Sequence, residues 1–586
     1  MYTTSTIFLK TLVQCGISHA FVNWGSDHPA LLEELERQRA LFGKTELQII
    51  TCPNEMVALS AAQGFAQACG RPAAVLVHVD VGTQALAGAI HNVDRGRVPV
   101  LIYAGASPFT TEGELKGSRN EWIMWLQDVH DQSAIVRPYM RYTAQINSAR
   151  NVRQVIMRSL QSALSEPKGP VYLWARREVM EEDVDEDFAK TDLDLKLWTS
   201  VEPIALRDSV AEEIASTLAG AENPLIITSY LGRNPKAVEK LVLLSEKLAI
   251  PVLVSCPTTV CFPHSHTNFA ELNYGMGESN WIRNADVILI IDSDIPYVPH
   301  HNKPDPNAKI FHIDVDVLKD NIGMFHIDAL RRCNADGETA LSQILGKLNS
   351  DSDLHSERVS IRATQLHKHH LGRIAKLDEA ELARTIDGSL TVPNLMMTLR
   401  KAVPFPERTI FLNESISNFP FAWEHLRPEH PGQMFTSGSS SLGWGLGAAV
   451  GVSLAKRSSD SLDLIVLVVG DGSFLFGVPA TAYWIAKKYN TPYLTVILNN
   501  GGWKSPKLSM MGVYPNGFGS KVNGSRLTVG FGPEVPDYSK IAEAAGGAWG
   551  KRVTLLSELV SSIAEGIRIV REEGRCAVLD CVIEQI

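Results

Sequence analysis

The chain predicts an α/β protein of three doubly wound parallel-sheet domains, and three observations carry the prediction. Short runs rich in Val, Ile and Leu alternate with helical patterns along nearly the whole length, as βαβ units require. Those runs are continuous rather than alternating, which marks strands buried on both faces. A length of 586 residues with 45% hydrophobic content exceeds what one core can organise, so several domains are needed.

Taken in order, residues 1–21 mix Thr, Lys and Gln with apolar residues at helical spacing. They lack a charged start, an apolar block and a cleavage site, so they read as the first helix of a domain rather than a signal segment. Strands are predicted at 19–23, 47–51, 73–79, 98–104 and 171–174, with a helix of small residues over 56–68. The acidic, aperiodic stretch 179–195 reads as a linker. A second block begins near Pro203, with strands at 224–228, 251–255, 287–292 and 309–313. After Leu348 the chain turns polar through Ser350, Asp351, Ser352 and Asp353 and a run containing His367, His369 and His370, which reads as a second linker. The third block starts near Thr391, with strands at 462–469, 492–498 and 577–583 and a helix over 479–489. The domains are therefore placed at 1–180, 200–348 and 390–586. No repeat at the level of letters relates them.

Composition narrows the function classes. A net charge of −10, without basic runs interleaved with aromatics, argues against a nucleic-acid surface. No window is long and apolar enough to span a bilayer. The eight cysteines are scattered singly and read as reduced thiols of a cytoplasmic protein. The three histidines at 367–370 have no ligand-spaced carboxylate or thiolate beside them and read as a solvated helix face.

One segment carries specific chemistry. Gly470-Asp471-Gly472-Ser473 begins where a strand buried on both faces stops, and Asn499-Asn500-Gly501-Gly502 ends the next strand. Two glycines let backbone approach a phosphate closely, because neither has a Cβ. Asp471 offers a hard carboxylate oxygen beside amide oxygens, which suits a magnesium ion shared with phosphates.

This segment resembles the cofactor motif of thiamine diphosphate (ThDP) enzymes. The resemblance implies that Asp471, the Asn500 side chain and the Gly502 carbonyl hold Mg2+, with Gly470, Gly472 and Ser473 at the diphosphate. It names the domains in order as pyrimidine-binding, middle and diphosphate-binding. It also implies a glutamate early in the first domain that hydrogen-bonds the cofactor's aminopyrimidine ring, and Glu55, opening the helix after the strand 47–51, fits. Read without the family, Glu55 is an acidic residue in a first helical turn capped by Asn54.

Within the family the motifs resemble benzoylformate decarboxylases most closely. Asn23-Trp24-Gly25-Ser26 is similar to a loop whose serine binds the substrate carboxylate, which assigns that role to Ser26. By itself Ser26, with Asp27, reads as a helix cap. His78, at the end of the strand 73–79, matches a proton-relaying histidine, and a second is implied at His300 or His301. Imidazoles suit the task because their ordinary pKa lies near neutrality. Leu412-Asn413-Glu414-Ser415 resembles a loop of the third domain. Ser440-Ser441-Leu442-Gly443 resembles the segment that props the cofactor into a V shape, with Leu442 as the prop and the Ser440 carbonyl as acceptor. Gly443, Gly445 and Gly447 read as close helix packing rather than a dinucleotide fingerprint, since no strand leads into them. Trp444 alone reads as core.

Departures from the pattern shape the expected activity. A histidine pair typical of pyruvate decarboxylases is absent between Pro108 and Trp122. Segments around Gly82, Gly105 and 117–128 also resemble acetolactate synthases, some of which bind FAD; Ser229-Tyr230-Leu231-Gly232 lacks the expected glycine cluster, so FAD is disfavoured. The last strand falls close to Ile586, without the longer lid of acyl-coenzyme-A lyases, which favours a free 2-keto acid. Trp24, Phe419, Trp444 and Trp503 imply a roomy aromatic pocket and a substrate larger than pyruvate. The expected activity is decarboxylation of a 2-keto acid to an aldehyde, or acyloin formation by carboligation. An acetolactate synthase-like carboligase and a non-catalytic ThDP-binding relative are the alternatives. The family builds its site between the first domain of one subunit and the third of another, so a homodimer or homotetramer is implied.

Overall fold

The computed structural model of the chain describes residues 2–324, 327–348, 357–457, 462–532 and 534–586. Three six-stranded sheets, parallel throughout, form three α/β domains. In the first sheet the order is Gln48–Thr51, His19–Val22, Ala73–Val77, Val100–Ala106, Val171–Arg176 and Tyr142–Ile146. The third sheet runs Met434–Thr436, Thr409–Glu414, Leu464–Gly470, Leu494–Asn499, Ala577–Val582 and Trp549–Val553. Numbered along the chain, both read 2-1-3-4-6-5, so an architectural repeat exists where the letters show none. The middle sheet differs, with Phe269–Asn273, Val252–Ser255, Pro224–Thr228, Val287–Ile291, Lys309–Asp314 and Arg331–Asn334 giving 3-2-1-4-5-6.

The predicted strands are all present, and the ones the sequence does not reveal lie mainly at sheet edges. Tyr142–Ile146 is half-exposed along most of its length, and Arg331–Asn334 is largely exposed. Edge strands bury only part of their surface, so their sequences lack the continuous apolar run that betrays a central strand. Thr409–Glu414 is the exception, a fully buried strand where the sequence implied a loop at 412–415.

The first and third domains share one core. Phe21, Val57, Phe65 and Ile102 belong to the same apolar cluster as Leu412, Trp444, Leu467 and Tyr483. The contact centres on the helices Glu55–Cys69 and Trp444–Lys456. A Cβ on Gly451 would lie 1.9 Å from the Ala61 carbonyl oxygen, one on Gly64 2.4 Å from the Ala448 carbonyl oxygen, and one on Gly447 2.8 Å from the Val57 carbonyl oxygen. Glycine therefore lets the two helix backbones touch, the packing role that the sequence assigns to Gly447; Gly443 and Gly445 face Phe476 and Leu467 instead. The middle domain keeps separate cores.

The connecting segments are structured. The acidic stretch expected to be a linker contains the helices Arg177–Glu181 and Glu186–Lys190, and Asp183–Val184 pairs with Tyr2–Thr3. Ser350, Asp351, Ser352 and Asp353 lie outside the described residues. The histidine run sits on a 26-residue helix, Glu357–Leu382, with His367 exposed. That helix joins two domains: Arg362 donates to the carbonyls of Ala221 and Leu248 at 2.8 and 2.6 Å, and Arg373 to Glu424 at 3.1 Å. Among the described residues no helix is long and apolar enough to cross a membrane.

Candidate active site

In an open parallel sheet the crevice for ligands lies at the carboxyl ends of the two strands where the winding reverses. In the first domain these are His19–Val22 and Ala73–Val77, which are followed directly by Asn23 and His78. In the third they are Thr409–Glu414 and Leu464–Gly470, which end in Glu414 and Gly470, next to Asp471. Ser26, Glu55 and His78 lie near the first of these switch points and Gly470, Asp471, Gly472 and Ser473 near the second, whereas His300 and His301 lie in the middle domain.

At the first, Glu55 opens the helix Glu55–Cys69, whose cap is Asn54, its side chain accepting from the Val57 N–H. Asn23 Nδ2 donates to Glu55 Oε1 at 2.8 Å and so holds the carboxylate in place. Gly82 lies alongside, where a Cβ would approach Glu55 Oε1 to 3.5 Å. Ser26 is half-exposed, and its hydroxyl makes no hydrogen bond among the described residues. It does not cap the following helix, Pro29–Phe42, whose cap position is His28.

Asp27, read as a partner in that cap, instead turns inward. It is 3% exposed, and its Oδ1 is hydrogen-bonded to His78 Nδ1. Oδ2 accepts from the Val79 N–H at 3.3 Å and lies 3.4 Å from His28 Nε2. Burial works against charge on the His78 imidazole, but the hydrogen bond and charge of Asp27 outweigh it and hold the ring above its ordinary pKa. Burial likewise opposes the Asp27 carboxylate, yet His28 and His78 keep it below its usual range. No local pattern announces this pair, because its members lie at the ends of different segments.

At the second switch point, Asp471 is 2% exposed. Its Oδ1 accepts from the Gly472 N–H at 2.8 Å and its Oδ2 from the Gly502 N–H at 3.0 Å; Asn500 Oδ1 also faces that N–H at 3.3 Å. Gly502 has φ +150°, and a Cβ there would lie 2.2 Å from the Val529 carbonyl oxygen. Only glycine allows this closure. Burial pushes the Asp471 carboxyl up to about 6 despite these N–H donors. Neighbouring Asn499 is anchored by its Nδ2 on Asp580 Oδ1 at 2.8 Å.

The segment 436–443 is stitched down residue by residue. Ser439 bonds His91 Nε2 at 2.7 Å, the Ser441 N–H donates to Asn92 Oδ1 at 3.1 Å, and the Gly443 N–H donates to Glu414 Oε1 at 2.6 Å. Ser440 stays exposed and Leu442 half-exposed between these anchors. Glu414, fully buried, accepts from the Gly443, Trp444 and Gly445 N–H groups, and burial raises its carboxyl to about 7. The sequence pointed to Glu414 only as part of a loop; its role as the cap of the helix Trp444–Lys456 comes from the fold.

Several expectations need correction. Trp444 is 1% and Phe419 6% exposed, and Phe419 stacks on Tyr274, so both are core residues and neither lines an open pocket. Trp24 packs edge-on against His28, and Trp503 against Phe476 and Phe531. His300 and His301 are exposed and contact each other. Among the described residues no hydrogen bond or ring contact joins either to Ser26, Glu55, His78 or Asp471. Nor, among the described residues, does a hydrogen bond join the Glu55 cluster to the Asp471 cluster.

The oxygen donors at Asp471, Asn500 and Gly502 fit a hard divalent cation shared with a phosphate. Among the described residues no group of three or more His, Cys, Asp or Glu could hold a metal, so such a cation would rest on this mixed set. At Gly470 a Cβ would meet only Ser473 Oγ at 3.9 Å, leaving the backbone open to a phosphate. Gly472 differs: a Cβ there would lie 2.1 Å from the Trp503 ring, which fills that space. A diphosphate fits once the indole shifts.

Three models of the thiamine pyrophosphate enzymes match the chain: the N-terminal TPP binding domain over residues 2–135, the central domain over 211–324 and the C-terminal TPP binding domain over 416–581. The benzoylformate decarboxylase of Pseudomonas aeruginosa is 25% identical over 515 residues, covering 86% of each chain. The acetolactate synthase large subunit of Buchnera aphidicola is 21% identical over 547 residues, 92% of this chain and 87% of that protein. Among solved structures, the thiamine diphosphate-dependent 4-hydroxybenzoylformate decarboxylase of Rhodococcus jostii RHA1 shares the fold, with a TM-score of 0.76 over 100% of both chains at 20% identity.

Proposed function

The chain belongs to the thiamine pyrophosphate enzymes, and from that premise we propose that it is a ThDP- and Mg2+-dependent lyase that decarboxylates a 2-keto acid larger than pyruvate. The observation that carries the reading is the placement of Glu55 with His78 at one switch point and Asp471 with Asn500 at the other, on two sheets of identical winding.

When bound, ThDP supplies the nucleophilic carbon and the electron sink that this decarboxylation needs. The protein's part is placement and proton transfer. Asp471, Asn500 and the Gly502 carbonyl hold the cation, with Gly470, Gly472 and Ser473 beside the diphosphate. Glu55, steadied by Asn23, would hydrogen-bond the cofactor's aminopyrimidine ring, with the Ser440 carbonyl accepting from its amino group and Leu442 packing beside it. The free Ser26 hydroxyl donates to the substrate carboxylate. His78 Nε2 gives and takes the proton, because Nδ1 is committed to Asp27. A His300 or His301 imidazole completes the site only if another subunit's geometry or a loop movement brings it in.

A homodimer or homotetramer with sites shared between subunits is part of the proposal, resting on the family resemblance. The reading leaves out FAD because Ser229-Tyr230-Leu231-Gly232 lacks the expected glycine cluster; at the carboxyl edge of the middle sheet Arg97 of the first domain donates to Asp314 and Asp294 at 3.0 and 2.8 Å, lies over the Tyr230 ring and lines a cavity of about 630 Å³ with Gly232, Asp292 and Gly337. Localisation is proposed as cytoplasmic, in keeping with the scattered thiols.

A panel of 2-keto acids tests the proposal, scored for carbon dioxide, for aldehyde and, with a second carbonyl compound, for carbon-carbon bond formation. Aryl or branched substrates are expected to outpace pyruvate. Faster turnover of pyruvate would overturn the size assignment, and acyloin as the dominant product would favour the carboligase reading that the acetolactate synthase-like relatives raise.

A further inference from the structure

We propose that Asp27 is a positioning residue for His78, fixing the imidazole's orientation and tautomer so that Nε2 is the nitrogen presented for proton exchange. The inference rests on the keto-acid reading above and extends it to a residue that neither the motifs nor the comparisons assign.

Four separate features of the fold converge on this pair. Two glycines far apart in the chain clear its space: a Cβ on Gly25 would lie 2.0 Å from His78 Nδ1, and one on Gly105 would lie 1.8 Å from Asp27 Oδ2. Side chains at either position would displace the imidazole or the carboxylate. Val79 has φ +33°, a conformation that β-branched residues avoid and that persists only where surrounding structure enforces it. That bend turns the Val79 N–H onto Asp27 Oδ2. His28 flanks Asp27 on the other side, its ring fixed by the Gly25 N–H, which donates to His28 Nδ1 at 3.1 Å. With Nδ1 accepting, the proton of neutral His28 resides on Nε2, which lies 3.4 Å from Asp27 Oδ2 without a hydrogen bond between them.

A buried carboxylate bonded to one ring nitrogen of a histidine sets which nitrogen carries the exchangeable proton, and it stabilises the imidazolium. The other charged or titratable groups facing the pair are few. Asp80 and the Gln127 side chain add to the stabilisation of His78, whereas buried Tyr103 and Tyr172 stay neutral, burial and Asp27 both raising them. His28 is held below its ordinary pKa chiefly by burial. Asp27 is thus the carboxylate that touches the imidazole.

The test compares the wild type with Asp27→Asn, which keeps the shape and removes the charge, and with Gly105→Ala, which keeps the carboxylate and displaces it. His78 is titrated directly by NMR on protein carrying 13C-labelled histidine, its signal identified by loss in His78→Asn. Its midpoint is expected to fall by about one pH unit or more in both variants, a tenfold change in the protonation constant. The pH profile of carbon dioxide release should move the same way, with kcat falling at least about tenfold more near pH 8 than near pH 6 and ThDP loading unchanged. An unmoved His78 midpoint, or a loss equal at every pH, would overturn the proposal, since a purely structural role predicts both. If the wild type releases carbon dioxide from no 2-keto acid, the functional reading fails while the NMR titration still decides the role of Asp27.

Discussion

Burial at the end of the strand Leu464–Gly470 raises the Asp471 carboxyl to about 6, and this has a consequence for metal loading. A carboxyl whose folded value is raised favours folding while protonated, and that contribution fades as pH rises through about 6. A cation needs the ionised form, so below that value binding must expel a proton. Mg2+ affinity in the presence of ThDP is therefore expected to be level from pH 7 to 8 and to fall about tenfold for each unit below 6. Calorimetric titrations across that range check it, and affinity unchanged down to pH 5 would contradict the assignment of Asp471 to the metal. At this scale the sequence was informative where motif and chemistry coincide. Asp471, Asn500 and Glu55 lie where their segments placed them. Asp27 did not stand out, because its partner His78 is 51 positions away and its immediate neighbours made it look like a cap.

Among the elements, the pair Glu55–Cys69 and Trp444–Lys456 matters most, since the first carries Glu55 and the second starts beside Ser440 and Leu442. Gly451→Ala puts a methyl group 1.9 Å from a backbone oxygen that cannot swing aside, so overpacking should destabilise the protein by about 1–3 kcal/mol. Thermal unfolding measures this, and an unchanged midpoint would show that the helices can separate at little cost. The loop after Leu494–Asn499 offers a second test. Trp503 covers Gly472, held edge-on by Phe476 and Phe531. Loading ThDP with Mg2+ is expected to displace the indole and change its fluorescence, and Trp503→Phe should remove that change. A signal that persists in the variant would place the movement elsewhere. Central strands were legible because burial on both faces leaves an unbroken apolar run. Edge strands such as Arg331–Asn334, which have little burial to satisfy, were not.

For the whole molecule, the question is whether one chain can complete a site. Glu55 and Asp471 lie at switch points of different sheets, with no hydrogen bond joining their clusters among the described residues. If sites form between subunits, Glu55→Gln and Asp471→Asn should each be inactive alone, yet mixed and reassociated chains should recover activity. A hybrid dimer has one site carrying both substitutions and one carrying neither. Random mixing then returns roughly a quarter of wild-type turnover by symmetry. No recovery after proven exchange would place both residues in the same chain's site.

The sequence by itself determined the α/β class, its three doubly wound sheets and the segments where chemistry gathers. Those properties follow from local periodicity and from residue types within a few positions of one another. Only the tertiary structure decided that Asp27 serves His78, that Trp444 and Phe419 belong to the core, that Arg97 of the first domain pairs with Asp294 and Asp314 of the middle one, and that two sheets wind alike. Each depends on groups brought together from distant parts of the chain, where packing, clearance at glycine and the electrostatics of burial select the partner and local sequence does not.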